Sequence, residues 1–120
     1  MSREKTLDKK VMDFIRSQGG WCVKYWAGSP FTKSGIPDIL ACINGQFYAI
    51  EDKAENGKPT LLQLVTLKKM RCAGAVAILL YPDDFVNFQH YVQYDDLDAE
   101  RWYNENILLQ RKWKDKLENT

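Results

Sequence analysis

The feature that most constrains the fold of this sequence is a hairpin pattern in its first half. Asn44-Gly45 separates two runs rich in apolar residues, 38–43 and 46–53. Asn-Gly is a favoured pair for a two-residue type I′ turn, because both turn positions need a positive φ. With residue 43 opposite residue 46, counting back along both strands predicts that Asp38 lies directly opposite Glu51.

This register brings unlike charges to one small area of a sheet. Side chains directly across an antiparallel pair have Cβ atoms about 4.5–5.5 Å apart. Asp38 and Glu51 therefore repel each other unless a proton or a cation lies between them. Lys53 lies two residues beyond Glu51, so the strand period of two places it on the same face.

Two chemical interpretations of this area follow from the residues. Carboxylate oxygens favour Mg²⁺ or Mn²⁺, which could polarise a phosphoryl oxygen while Lys53 activates a water or stabilises developing negative charge. The alternative is a surface hairpin in which Lys53 forms an ordinary ion pair with one of the acids. The residues by themselves leave both interpretations open.

The rest of the chain predicts an α/β fold. A helix between two strands that can lie parallel is typical of a crossover unit, so we expect one mixed sheet flanked by helices. Gly and Pro mark a loop over residues 27–37. The predicted helices are 3–18, 61–73, 83–91 and 97–117, and the predicted strands are 21–26, 38–43, 46–53 and 75–81.

Charge is divided unequally along the 120 residues. The net charge is +1, but residues 1–81 carry twelve Lys or Arg against seven Asp or Glu, and residues 82–120 carry five against nine. Near-neutrality therefore does not exclude nucleic acid as a partner. The three cysteines are isolated, and neither a signal peptide nor a membrane span is predicted, so we expect a cytoplasmic, non-secreted protein.

Several short motifs in order resemble the PD-(D/E)xK nuclease superfamily, and within it the VRR-NUC domains, the virus-type replication-repair nucleases. The resemblance covers about residues 3–81. Its motifs are Glu4, Gly19-Gly20, Gly35-Ile36-Pro37-Asp38, Glu51-Asp52-Lys53, Gln63 and Ala73-Gly74.

The resemblance implies a restriction-endonuclease-like fold and a role for each matched residue. Residues 1–120 would form a single nuclease domain, with an αβββαβ core over residues 1–81 and an acidic, aromatic helical extension over residues 82–120. Mg²⁺ or Mn²⁺ would be the cofactor. The metal ligands would be Asp38, Glu51, the backbone carbonyl of Asp52 and Glu4 from the first helix, with Lys53 as the catalytic lysine and Gln63 placing Lys53 or the water.

The resemblance also implies a function, a metal-dependent, structure-selective DNA endonuclease. Its substrate would be branched DNA, a four-way junction or a flap, in DNA repair or replication of a bacterium or phage. The expected partners are DNA and a second copy of the chain in a homodimer, with no membrane and no organic cofactor. Two alternatives are a non-cleaving DNA-binding module of the same fold and a replication-complex interaction protein.

Candidate DNA contacts come from the positive part of the chain. We select Lys24, Lys33, Lys58 and Trp26, which could bind phosphate or stack on a base. A solvated lysine, or a tryptophan in the core, is the alternative for each.

Two further regions leave a choice open. Asp52 departs from the motif, because its parity points it toward the core, where it would have to reach solvent or pair with a cation to avoid a stability cost. The C-terminal helices could form a dimer contact or pack back on their own core.

Overall fold

The computed structural model describes residues 3–26, 28–30 and 32–119, with side chains described from Lys5 onward. The helices and strands follow the predicted order, with one extra 3-10 turn. The elements are α1 (Arg3–Ser17), β1 (Trp21–Lys24), β2 (Ile39–Ile43), β3 (Gln46–Asp52), α2 (Leu61–Cys72), β4 (Val76–Leu80), the 3-10 turn Pro82–Asp84, α3 (Phe85–Gln93) and α4 (Leu97–Glu118).

The four strands form one mixed sheet in the order β1-β2-β3-β4. β1, β2 and β3 pair antiparallel, and β3 pairs parallel with β4 through the α2 crossover. The hairpin register is confirmed, since Ile43 faces Gln46 and Ile39 faces Ile50. Positive φ angles of 50° at Asn44 and 79° at Gly45 are those of the predicted turn.

The sheet carries a different apolar layer on each face. On one face, α1 and α3 bury Val11, Ile15 and Phe88 against Ile50 and Ile78. On the other face, α2 and α4 pack on a second set of buried residues, which comprises Ala49, Leu64, Leu67, Ala77 and Leu79. Because side chains alternate along β3, consecutive residues of that strand belong to opposite layers.

α4 runs along the outer edge of β4 and satisfies its backbone with polar side chains. The Asn106 side chain accepts from Leu79 N at 3.0 Å and donates to Leu79 O at 2.8 Å. Gln110 Nε2 donates to Ala77 O at 3.0 Å, and the Tyr103 hydroxyl accepts from Ala77 N at 3.0 Å. These side chains provide the bonds that a fifth strand would otherwise provide.

The C-terminal helices pack on their own core, and a dimer contact through their exposed faces stays a prediction. Phe88 of α3 is fully buried, and Leu109, Trp113 and Leu117 of α4 pack against the α2 layer. The largest differences from the predicted elements are at α3, which spans Phe85–Gln93 and not 83–91, and at β1, which ends at Lys24 and not at residue 26. Within the described residues, none of the helices is long and apolar enough to cross a membrane.

Candidate active site

Asp38, Glu51 and Lys53 lie together where the β2–β3 hairpin opens. Asp38 precedes β2 by one residue and continues its register, so it lies beside the end of β3. The Asp38 carboxylate accepts a hydrogen bond from Asp52 N at 2.9 Å, which fixes it against that strand. Lys53 Nζ lies 3.6 Å from Glu51 Oε2. The predicted grouping of two carboxylates and one ammonium is therefore present.

Burial gives Glu51 unusual proton affinity. Its side chain is 2% exposed, and the Lys53 side chain is 12% exposed. Burial is the main cause that raises the pKa of Glu51 to about 9, and the neighbouring Asp38 carboxyl adds to the rise, while Lys53 opposes it. Glu51 Oε1 is buried without a hydrogen-bond partner among the described residues. Such an oxygen needs either a proton or a cation.

The glycine of the Gly-Ile-Pro-Asp motif holds the loop before Asp38 against α2. Gly35 has a φ of 80°, which favours glycine, and a Cβ built there would lie 2.6 Å from Leu62 Cγ. The same loop is tied to the sheet by Tyr25 N, which donates to Asp38 O at 2.7 Å. These contacts place Asp38 at the site from a segment without regular structure.

The donor set suits a hard divalent cation. Asp38 and Glu51 supply carboxylate oxygens, and the orphaned oxygen of Glu51 is buried beside Asp38. Among the described side chains, no group of three or more His, Cys, Asp or Glu residues is arranged to hold a metal ion. The side chain of Glu4, the predicted fourth ligand, lies outside the described residues, and the Asp52 carbonyl stays a prediction.

Gln63 has a structural role that the sequence analysis missed. Gln63 Oε1 accepts from Thr60 N at 2.9 Å, and Thr60 Oγ1 accepts from Gln63 N at 3.1 Å. This reciprocal pair is a capping box at the start of α2, and the sequence signature Thr-x-x-Gln could have revealed it. The carbonyl oxygen of the side chain is therefore engaged, and its amide nitrogen is the group left for the predicted role near Lys53.

The DNA-contact candidates lie in two kinds of environment. Lys33 and Lys58 are exposed, in the loops that precede β2 and follow β3, at the same end of the sheet as Asp38. Trp26 is 70% exposed, so the core alternative for this tryptophan is wrong. Lys24 instead forms an ion pair with Asp8 of α1, with Nζ 2.6 Å from Asp8 Oδ2. Contact of these four residues with DNA stays a prediction.

A second acidic pair lies directly behind the first, on the α1 face of β3. Asp52 is 0% exposed, and neither of its carboxyl oxygens has a hydrogen-bond partner among the described residues. Burial first, and then the adjacent Asp8 carboxyl, raise the pKa of Asp52 well above its usual range. Asp52 therefore neither reaches solvent nor pairs with a cation among the described residues, which leaves the remaining case, a buried and unpaired acid that lowers stability.

Sequence analysis did not find Asp8, because Asp8 follows the buried Leu7 on the edge of an apolar stripe. The alternation of side chains along β3 indicates that Asp52 points toward the core, but it does not identify the residue that lies next to Asp52 there. Asp8 Oδ1 is also buried without a hydrogen-bond partner among the described residues. A proton held by Asp52 is therefore expected to lie between the two carboxyl groups.

A solved chain described as a VRR_NUC domain matches with a TM-score of 0.53 and 29% sequence identity. The match covers 62% of this chain and 80% of that chain. No family model and no curated protein matches the sequence.

The four-stranded mixed sheet, with its paired acids and lysine, defines a restriction-endonuclease-like α/β domain. The match narrows this class, since the chain has a VRR-NUC-like fold, which indicates a nuclease-type domain.

Proposed function

We propose that this chain is a Mg²⁺- or Mn²⁺-dependent endodeoxyribonuclease that hydrolyses phosphodiester bonds in branched DNA, such as a four-way junction or a flap. The observation that carries the proposal is the grouping of Asp38, Glu51 and Lys53 at one end of β3, with a buried Glu51 oxygen that lacks a partner. The structural match to a VRR_NUC domain supports the same class of reaction.

The proposed chemistry divides among three side chains. Asp38, oriented by the Asp52 amide, and Glu51 would hold the cation. When bound, this cation would supply Lewis-acid polarisation of the scissile phosphoryl group. Lys53 lies beside Glu51 and is almost buried, so its ammonium is held in one place and could donate to the attacking water or to the phosphoryl oxygens.

The proposed DNA path follows the charge distribution. Lys33 and Lys58 lie in the two loops beside the site and would contact phosphates there. Trp26, exposed in the first of these loops, could stack on an unpaired base at a branch point. The acidic segment 82–120, which contains α3 and α4, would face away from the DNA.

Selectivity for branched DNA is tested by a cleavage panel in Mn²⁺. The substrates are linear duplex, single strand, 5′ flap, splayed arm and four-way junction of matched sequence. We expect the branched substrates to be cut faster than the linear duplex. Equal rates on all five would contradict structure selectivity, and binding without cleavage on any of them would favour the non-cleaving module.

The proposal includes a homodimer, because symmetric cleavage of a junction needs two sites. An exposed apolar area lies across β1, β2 and β3 on the α2 face, where Trp21 is 66% exposed and Phe47 42% exposed. Both residues pair laterally with Cys42, so they share that face. We expect Trp21→Glu to shift a dimer to monomer in light scattering. A wild-type monomer at high concentration would remove the junction-resolving version of the proposal.

A further inference from the structure

A cleft of about 500 Å³ lies at the end of the sheet opposite to Asp38, Glu51 and Lys53. It is bounded by the hairpin turn at residues 44–45 on one side and by the junction of α3 and α4 on the other. β3 connects the two ends, and seven residues of strand correspond to a separation of about 20 Å. The cleft is therefore distinct from the candidate active site.

Aromatic rings form the inner wall of this cleft. The ring centroid of Tyr91 lies 5.2 Å from that of Tyr103 and 6.4 Å from that of Tyr48. Tyr94 lines the outer part, is 56% exposed and stacks on His90 at 4.8 Å. Ring faces of this kind attract cations through their quadrupole.

Two tyrosine hydroxyls in the cleft are left for a ligand. The Tyr103 hydroxyl already accepts a hydrogen bond from Ala77 N at 3.0 Å. Tyr48 and Tyr91, in contrast, have no hydrogen-bond partner for their hydroxyls among the described residues. Each hydroxyl can accept one bond from an N–H donor.

Carboxylates at the rim make the cleft electronegative. Asp95 and Glu100 both line it and are both exposed. Burial is the main cause that raises the pKa of Tyr91 to about 12, followed by the neighbouring Tyr48 and Tyr103 and then by the charges of Asp95 and Glu100. The negative potential of the rim therefore extends to the aromatic wall.

We propose that this cleft binds a small organic cation, an alkylammonium or a guanidinium group. The rim carboxylates would neutralise the charge, the ring faces would contact the alkyl or planar part, and the two hydroxyls would accept N–H bonds. The same chemistry occurs in a free polyamine and in a lysine or arginine side chain of a protein. An anion or a phosphate would be repelled by the rim.

The test is calorimetric titration of the full chain, without metal and at low salt, with four probes. Spermidine and putrescine represent the free polyamine, and the N-acetyl amides of lysine and arginine represent a protein side chain. We expect saturable one-site binding of at least one probe. Binding of the polyamines alone identifies a free ligand, and binding of the amides identifies a protein side chain. Binding of no probe overturns the proposal.

Variants separate the cleft from general attraction to acidic surface. The double change Asp95→Asn and Glu100→Gln, and separately Tyr94→Ala, should each weaken binding about fivefold or more. Glu105→Gln, which removes one exposed charge of α4 outside the cleft, should leave binding unchanged. Equal binding by wild type and the double variant, or amide NMR shifts spread over all acidic residues, would overturn the proposal.

Discussion

β3 presents two neighbouring buried acids to opposite faces of the sheet, and each has one further acid and one lysine nearby. Glu51 has Asp38 and Lys53 on the α2 face, and Asp52 has Asp8 and Lys24 on the α1 face. Composition alone does not distinguish the two clusters. The clusters differ in which acid the lysine ammonium contacts. They differ also in the surroundings of the carboxyl oxygens that the lysine does not contact.

On the α1 face, the lysine binds the partner acid and leaves the most buried carboxyl alone. Lys24 Nζ lies 2.6 Å from Asp8, while both oxygens of Asp52 lack a hydrogen-bond partner among the described residues. On the α2 face, Lys53 lies beside the buried Glu51. Asp38, the second acid of this cluster, is only half-buried. We therefore expect the α1-face cluster to hold a proton, and we propose that the α2-face cluster binds a cation and the substrate.

The largest expected effect is on the cleavage rate, which should respond differently to the loss of Lys53 and of Lys24. Lys53→Met should lower the cleavage rate by about 10²- to 10⁴-fold, because it removes the ammonium that would act on the water or phosphoryl group. Lys24→Met should lower the rate per folded molecule far less, because Lys24 lies outside the α2-face cluster and its predicted role is only a DNA contact. Rates are measured on the best substrate of the panel, with circular dichroism as the check on folding.

The outcome for Lys24 also tests its predicted DNA contact. A loss of DNA binding in Lys24→Met that is greatest at low salt and becomes smaller as salt rises would indicate a phosphate contact. Cleavage retained in Lys53→Met would contradict the assignment of the active site to the α2 face.

The second effect concerns stability. Asp52→Val replaces a buried, unpartnered acid with a residue that suits a strand, and we expect the free energy of unfolding to rise by about 1–3 kcal/mol. Cleavage should persist, because the Asp52 backbone amide and carbonyl remain. Urea denaturation at neutral pH measures the change.

Two variants serve as controls for this stability prediction. Glu51→Gln should also stabilise the metal-free protein but should abolish cleavage. Asp83→Asn, at an exposed position, should change stability by less than about 0.5 kcal/mol. A folded Asp52→Val variant without cleavage would show that the α1-face carboxyl takes part in the reaction.

The third effect is a dependence of stability on pH. The pKa of Glu51 is about 9 in the folded chain and near 4.5 when unfolded, so the folded state binds more protons between these values. Stability of the metal-free protein therefore falls as pH rises through this window, by at most about 1.4 kcal/mol per unit for this group. Asp52 contributes with the same sign.

Denaturation in chelator at several pH values from 5 to about 9 measures this slope. Glu51→Gln and Asp52→Asn should each reduce it. Mn²⁺ should reduce the pH slope of stability in Asp52→Asn, which keeps Glu51 as a cation ligand. Mn²⁺ should not change the slope in Glu51→Gln, because only the α2 face is proposed to hold the cation. A slope that Mn²⁺ changes equally in both variants would contradict the separation of the two clusters.

The smallest effect concerns Gln63, whose side chain caps the start of α2. Gln63→Ala removes the capping box and should lower the free energy of unfolding by about 0.5–1 kcal/mol. Gln63→Glu retains the cap and removes the amide donor. If Gln63→Glu loses cleavage but keeps its stability, the catalytic role of Gln63 is supported. If the variant keeps both cleavage and stability, Gln63 serves only as the cap of α2.

Sequence reasoning recovered the α2-face cluster and missed the α1-face pair for a physical reason. The hairpin turn fixes the register, so the position of Asp38 relative to Glu51 follows by counting residues. The contact of Asp52 with Asp8 depends on how α1 is rotated on the sheet, which no local pattern determines. Hydropathy likewise gave no sign that Asn106 and Gln110 of α4 bind the backbone of β4, because amide side chains in a helix usually face solvent.

The hydrogen bonds from Tyr103, Asn106 and Gln110 of α4 to the backbone of β4 matter for shortened versions of the chain. A chain that ended after α3 would retain Asp38, Glu51, Lys53 and Gln63, and yet it would leave the N–H and C=O groups of Ala77 and Leu79 without the partners that α4 supplies. A bare strand edge is a template for pairing with other molecules. The acidic extension, which carries none of the predicted catalytic residues, would therefore keep the nuclease-like core from assembling into continuous sheets.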